Sequence, residues 1–250
     1  MNRPGLSAYV LTFNSERYLQ SILAQLNRFA DEVVVLDSGS ADATQAIAAS
    51  AGARFVTHPF SDFRTQRGVA EQACSHDYIF FCDCDKRPDD VLVAAIRAVR
   101  TAGLDQAAYD VQRHWQAYGQ PVRVVYPIVS PDRVPRLYDR RRCHWAPDKR
   151  VHEGLLVDGP RRLLAGRLVH LTFETQAEVD EKLARYTDLA ALGLLDRCQR
   201  KGQSPRWAAI RHGVQAWTFS PLGAVIKSYL RRGGWRDGRV GLRLMIYALR

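Results

Sequence analysis

The chain has 250 residues, 46% of them hydrophobic and 25% charged, with a formal net charge of +10 at pH 7, which is enough for one sizeable core in a folded, soluble-type protein. No run of about 18 uncharged apolar residues occurs and the start MNRPGLSAYVLTFNSE does not read as a signal peptide, arguing against a membrane-spanning or exported chain and for a cytoplasmic one. Five cysteines without CxxC spacing argue against a disulfide framework or a zinc knuckle, so reduced thiols are expected.

The first hundred residues alternate strand and helix patterns. AYVLTF (8–13) reads as a buried strand, with Asn14 or Ser15 placed to cap a helix whose Tyr18, Leu19, Ile22, Leu23 and Leu26 recur at helical spacing. EVVVLDS (32–38) is a second strand, GSAD a turn, and ATQAIAASAG (43–52) a helix closed by Gly52. ARFVTHP (53–59), a helix near 64–74, the strand DYIFFCD (77–83) and a helix over 89–102 follow, the last with Val91, Leu92, Ala95, Ile96 and Val99 inward. Such alternation predicts a mostly parallel α/β sheet that binds ligands outside the carboxyl ends of its strands.

After residue 105 the segments YDVQRHWQAYG, VRVVYPIV, VPRLYDRRRCHW, VHEGLLVDG and LAGRLVHLTF alternate and predict a mixed or antiparallel extension. From 176 the helical period returns in AEVDEKLARYTDLAALGLLDRC and a basic tail. Residues 1–175 are therefore expected to form one domain, in halves of about 1–105 and 106–175, and 176–250 a basic helical extension. The first 125 residues hold 12 Lys/Arg against 14 Asp/Glu, the last 125 hold 24 against 12, and 204–250 carry nine against the single acid Asp237. The tail suits an anionic surface or a solvated helical face. No RNP, KH or helix-turn-helix context accompanies it, so nucleic acid is not the expected partner.

Three stretches carry chemistry, each with a plainer reading beside it. In DCDKRPDD (83–90), Asp83 and Asp85 point one way on an extended chain and Cys82 and Cys84 the other, so two hard oxygen ligands face one side. They suit Mg²⁺ or Mn²⁺ on a phosphate; the alternative is a charged turn before a helix capped by Asp89, and the cysteines read as core. DSGSADAT (37–44) can offer N–H groups to a phosphate or an Asp to a nucleobase, or be an Asx-turn. In VHEGL, Glu153 reads as a general base or as an ion-pair partner of neighbouring cations, and His170 as a core histidine.

Together VLTFNSERYL, VVVLDSGSADAT, TQRGVAEQA, DCDKRPDD, RVHEGLLVDG and LVHLTF resemble inverting family 2 glycosyltransferases of the GT-A fold, and within them lipopolysaccharide core β-1,4-glucosyltransferases, over roughly residues 6–190. The resemblance implies a Rossmann-like sheet with C-terminal helices. It also implies transfer of a hexose from a nucleotide diphosphate sugar, UDP favoured, to an anionic glycolipid at the inner membrane. By the same likeness Thr12, Asn14 and Glu16 line the nucleotide pocket, Asp37 reads the base, and Gln66 and Arg67 approach the donor. Asp83 contacts ribose or sugar, Asp85 holds Mg²⁺ or Mn²⁺ with Asp83 and His170, and Glu153 is the base. Lys86 stands where such proteins usually carry an acid, placed to pair with the diphosphate or replace part of the metal's charge. A polyprenyl-linked or capsule acceptor and a catalytically inactive scaffold are the alternatives.

Overall fold

A computed structural model describes residues 3–146, 154–181, 184, 195, 198–200, 202, 204, 223 and 225–248. The chain divides into two compact units, one of residues 1–113 and 132–170, the other of 114–131 and 171–250.

In the first unit, β1 (Leu6–Thr12), α1 (Glu16–Leu26), β2 (Glu32–Asp37), α2 (Thr44–Ser50), β3 (Arg54–Thr57), α3 (Phe63–Ala73) and β4 (Tyr78–Asp83) follow the predicted alternation. A short β5 (Lys86–Pro88) precedes α4 (Asp90–Ala102) and β6 (Ala108–Ala117). The chain continues through β7 (Gln120–Pro121), β8 (Val124–Val125), β9 (Ile128–Val129), β10 (Asp132–Asp139), β11 (Cys143–Trp145), β12 (Leu155–Val157) and β13 (Arg161–Phe173). The main sheet runs β3-β2-β1-β4-β10-β6-β13-β5. Its first four strands are parallel, whereas β10 runs antiparallel to β4 and to β6, as does β5 to β13. The parallel half and the antiparallel extension both match the sequence expectation.

Strand alternation sorts the apolar residues onto two faces. Ala8, Val10, Val33, Val35, Phe80 and Cys82 pack on one side against Leu19, Ile22, Leu23 and Leu26 of α1 and Leu92, Val93 and Ile96 of α4. Tyr9, Val34, Leu36, Ile79 and Phe81 pack on the other with Ala70, Tyr138 and Trp145. Cys82 and Cys84 both belong to the first side, in line with their expected core role. Burial also pushes the Cys84 thiol up to about 11, away from reactivity.

One inward assignment is corrected. Val91 is 57% exposed, while Val93 and Arg100 are buried. Asp89 caps α4 by accepting from Leu92 N at 2.8 Å, which fixes the helical phase so that 92, 93, 96 and 100 form the inner stripe. The stripe admits Arg100 because its guanidinium reaches Phe29 O at 2.6 Å, Pro4 O at 2.9 Å and the carboxylate of Asp31.

The second unit has its own core of Trp115, Ala117, Val122, Val125, Phe173, Val179, Val240 and Leu244. Residues 176–181 are helical, as predicted, and most of 182–224 lies outside the described residues. A π-helical segment Val225–Arg231, a 3-10 turn Gly234–Asp237 and a helix Gly238–Ala248 follow. Asp237, the tail's single acid, accepts from Arg123 N at 2.7 Å. No described helix is long and apolar enough to cross a membrane.

Gly166 in β13 sits at φ +94°, where a Cβ would meet Leu92 N of α4 at 2.2 Å. Gly166→Ala is expected to destabilise the fold by about 2 kcal/mol or more, through overpacking and left-handed strain together. A denaturant midpoint equal to that of the unaltered chain would contradict this.

Candidate functional site

The register of β1 assembles the site. Thr12 lies opposite Asp37 at the end of β2, and Leu11 lies opposite Asp83 at the end of β4. The loop after β1, the loop after β2 and the acidic turn therefore leave the sheet at one edge, as carboxyl-end ligand sites require.

The first two loops are stitched by their own side chains. Asp37 is buried, and its Oδ1 accepts from Thr12 Oγ1 at 2.8 Å and Ser40 Oγ at 2.5 Å. Its Oδ2 accepts from the N–H groups of Gly39 at 2.8 Å and Ser40 at 2.7 Å, an Asx-turn in form. Asn14, at φ +47°, gives its N–H to Ser40 Oγ at 2.8 Å and takes the N–H of Ala41 on Oδ1 at 2.9 Å. Glu16 N–H donates to Asp42 Oδ2 at 3.0 Å, and Glu16 Oε2 accepts from Ala43 N at 3.0 Å. The expected cap at Asn14 or Ser15 is thus replaced: Ser15 precedes α1 without a side-chain cap bond, and Asp42 reaches the first N–H from the other loop. Gln66, buried on α3, donates from Nε2 to Ser38 Oγ at 3.1 Å and His58 O at 3.0 Å. Its Oε1 has no hydrogen-bond partner among the described residues.

The acidic turn has a different character. β4 ends at Asp83, residues 84 and 85 turn, and Lys86 starts β5, so the two acids are not on one extended strand. Lys86 is buried, with Nζ 2.9 Å from Asp83 Oδ2 and 2.6 Å from Asp85 Oδ1. Arg67 Nη2 stands 3.1 Å from Asp83 Oδ1 and Arg136 Nη1 3.5 Å from Asp83 Oδ2. Both guanidinium groups lie over the Phe81 ring, at 4.8 and 4.2 Å, and Arg67 also lies 4.9 Å from the Trp145 ring. Burial alone would raise the carboxyl of Asp83, but Lys86, Arg67 and Arg136 hold it well below the usual range. Burial likewise works against the charge of Lys86, and Asp83 with Asp85 more than offset it, raising its pKa. β5 pairs with β13 so that Lys86 faces His170, whose Nε2 lies 3.0 Å from Asp85 Oδ2.

The structure thus brings Thr12, Asn14, Glu16 and Asp37 together with Gln66, and Arg67, Asp83, Asp85 and Lys86 together with His170. Glu153 lies outside the described residues. Arg136 was missed by the sequence reading. Its signal was an arginine between apolar neighbours in VPRLY, and the register of β10 against β6 shifts between Pro135 and Leu137, around it.

The expected set for Mg²⁺ or Mn²⁺ does not fit an ion. Among the described residues no three His, Cys, Asp or Glu side chains are grouped to hold one. Asp83 is occupied by three cations, and Asp85 is shared between Lys86 and His170. Lys86 Nζ stands 2.6 Å from Asp85 Oδ1. Mg²⁺ bound to that oxygen at about 2.1 Å would lie within about 5 Å of the ammonium, a repulsion of about 7 kcal/mol at an effective dielectric of about 20.

A lipopolysaccharide core biosynthesis glycosyltransferase of Rhizobium meliloti (strain 1021), LpsC, is 29% identical to the chain over 247 residues, 94% of this chain and 84% of the relative. An uncharacterized glycosyltransferase of Rickettsia bellii is 36% identical over 81 residues, 32% of this chain and 28% of that protein. Among solved structures, glucosyl-3-phosphoglycerate synthase of Mycobacterium tuberculosis, in complex with Mn²⁺, UDP and glucosyl-3-phosphoglycerate, is 24% identical with a TM-score of 0.38. That alignment covers 45% of this chain and 44% of that one. The model of the family described as glycosyl transferase family 2 matches residues 7–148, more than half of the chain and all of the sheet edge that carries both stitched loops and the acidic turn. By that match the chain belongs to glycosyl transferase family 2, and the parallel-to-antiparallel sheet is its GT-A fold.

Proposed function

We propose that the chain is an inverting transferase that moves a hexose, glucose the first candidate, from a UDP-sugar to the inner core of a lipopolysaccharide or a similar anionic glycolipid. The observation that carries the reading is the cation cluster of Lys86, Arg67 and Arg136 beside the carboxyl ends of β1, β2 and β4. An edge of that kind attracts a diphosphate and stabilises the charge that builds on it as it leaves. The likeness to LpsC over 94% of this chain supports the choice of acceptor.

In this mechanism the stitched loops of Thr12, Asn14, Glu16 and Asp37 hold the nucleoside. Asp37 acts by shaping the loop, since both its oxygens are spent on Thr12, Gly39 and Ser40. Gln66 Oε1, buried and without a hydrogen-bond partner among the described residues, is an acceptor for the donor's N–H or O–H groups. The bond between the anomeric carbon and the diphosphate oxygen breaks, its electron pair leaving on that oxygen. The acceptor hydroxyl attacks from the opposite face and its proton passes to the carboxylate of Glu153, a role assigned from the V-H-E motif.

The basic tail is assigned to an anionic membrane surface. Ile226, Leu230, Trp235, Leu242 and Ile246 are exposed large apolar side chains among exposed Lys227, Arg231, Arg236, Arg239 and Arg243. That mixture suits shallow insertion beside anionic headgroups.

Thermal unfolding with UDP-, GDP-, ADP- and CMP-sugars tests the donor. A UDP-sugar is expected to give the largest rise in Tm, since a ligand that binds only the folded state stabilises it. A larger rise with another base would reassign the nucleotide. Glu153→Gln should lower kcat by roughly 100-fold or more while leaving the UDP-sugar Tm shift in place; normal turnover by the variant would remove Glu153 as base. Co-sedimentation should capture the chain on phosphatidylglycerol vesicles and not on phosphatidylcholine ones, with Trp235→Ser weakening capture. Equal capture on both would defeat the membrane assignment.

A further inference from the structure

We propose that the ammonium of Lys86, supported by Arg67 and Arg136, takes the place of a divalent cation, so that this transferase binds and releases its nucleoside diphosphate on fixed side-chain charge. The inference rests on the nucleotide-sugar reading above and adds the identity of its electrophilic group.

A pair of carboxylates two residues apart has a charge of −2 and repels a diphosphate, and a divalent ion held there cancels that charge while offering its own positive face to the phosphate oxygens. Here Asp83 and Asp85 meet Lys86, Arg67 and Arg136, two negative charges against three positive ones, so the compensation, with one positive charge in excess, is built into the chain.

Position gives the second argument. Lys86 Nζ bridges the two carboxylates at 2.9 and 2.6 Å, as a shared cation would. It is fixed there: Lys86 is 6% exposed, its carbonyl accepts from Cys82 Sγ at 2.8 Å, and its backbone is registered against His170 on β13. A tethered, buried ammonium between both acids leaves the ion neither its ligands nor its place.

Capacity gives the third. A diphosphate presents more charge than one ammonium balances, and the two guanidinium groups supply the remainder. Arg136 is 5% exposed, and neither its Nε nor its Nη1 hydrogen-bonds to a described residue. Both atoms are buried, Nη1 holding only the 3.5 Å ion pair with Asp83 among the described residues, so a diphosphate that reaches the cluster meets a planar guanidinium whose hydrogen-bonding capacity is not used up.

The test measures binding of UDP, GDP and ADP to the full chain by thermal unfolding and titration calorimetry, each in EDTA and in Mn²⁺. Sugar transfer is followed in parallel. For the unaltered chain the Kd of the best-bound diphosphate should agree within about twofold between the two buffers, and transfer should persist in EDTA. Lys86→Glu restores an acid after the two aspartates. It should raise Kd at least about tenfold in EDTA and regain binding with Mn²⁺, whereas Lys86→Arg should keep EDTA-resistant binding. Loss of binding by the unaltered chain in EDTA, restored by Mn²⁺, would overturn the assignment to Lys86 and leave the donor reading intact. Absence of binding by all three diphosphates in both buffers would overturn the donor reading itself, and this inference with it.

Discussion

The site depends on one buried carboxylate that holds three cations. Lys86, Arg67 and Arg136 are each at most 8% exposed, and a charge so far from water costs several kcal/mol unless it is paired. Asp83 touches all three, so its loss would leave them facing one another. The apolar face beneath is aromatic for a related reason. Phe81 and Trp145 offer ring faces to the guanidinium planes, and Trp145 is held in turn by donating Nε1 to Glu71 at 2.7 Å, a carboxylate that also takes the Tyr138 hydroxyl. The Phe81 face of the sheet is thus packed around the charges as well as against the strands.

Much of the nucleotide-side architecture was legible because it is local. Period-2 and period-3.6 patterns over short windows marked β1 to β4 and the four helices between residues 16 and 102, since each of these elements buries a face of its own. The T-x-N-x-E and D-S-x-S-x-D-x-T stretches were legible as motifs but not as a structure. Their residues are bonded to each other across some 25 positions, Asn14 to Ser40 and Ala41, Glu16 to Asp42 and Ala43. A sequence pattern marks the residues that loop pairing needs without saying which group accepts from which. For that reason Asp37 read as a base-recognition residue or as an Asx-turn, and the hydrogen bonds describe the turn.

What stayed hidden depends on partners far along the chain. β5 is three residues long and has no pattern of its own; it exists because β13 pairs with it more than eighty residues later. That pairing sets His170 beside Asp85, a proximity that the family resemblance implied and that no spacing in the sequence shows. Nothing in the alternation of VPRLY marks Arg136 as buried, and only its meeting with Asp83 makes burial tolerable. The phase of α4 was misjudged by one contact because Arg100 belongs to the inner stripe, and a charged residue there is readable only once Asp31 and the carbonyls of Phe29 and Pro4 are in place.

A tethered ammonium and a bound dication answer the same electrostatic demand in different ways. The ion brings two charges and must be captured, which requires free carboxylate oxygens; the lysine brings one charge, is always present, and consumes those same oxygens in holding itself. Replacing the ion by lysine alone would leave the acidic turn at −1, still repellent to a diphosphate. The turn becomes attractive only when Arg67 and Arg136 are counted, one from α3 and the other from β10. On this account the lysine after the two aspartates is not an isolated departure from the family pattern. It works only as part of a set whose other members lie 19 residues before it and 50 after it, and whose cost of burial is met by the carboxylates that would otherwise have held the ion.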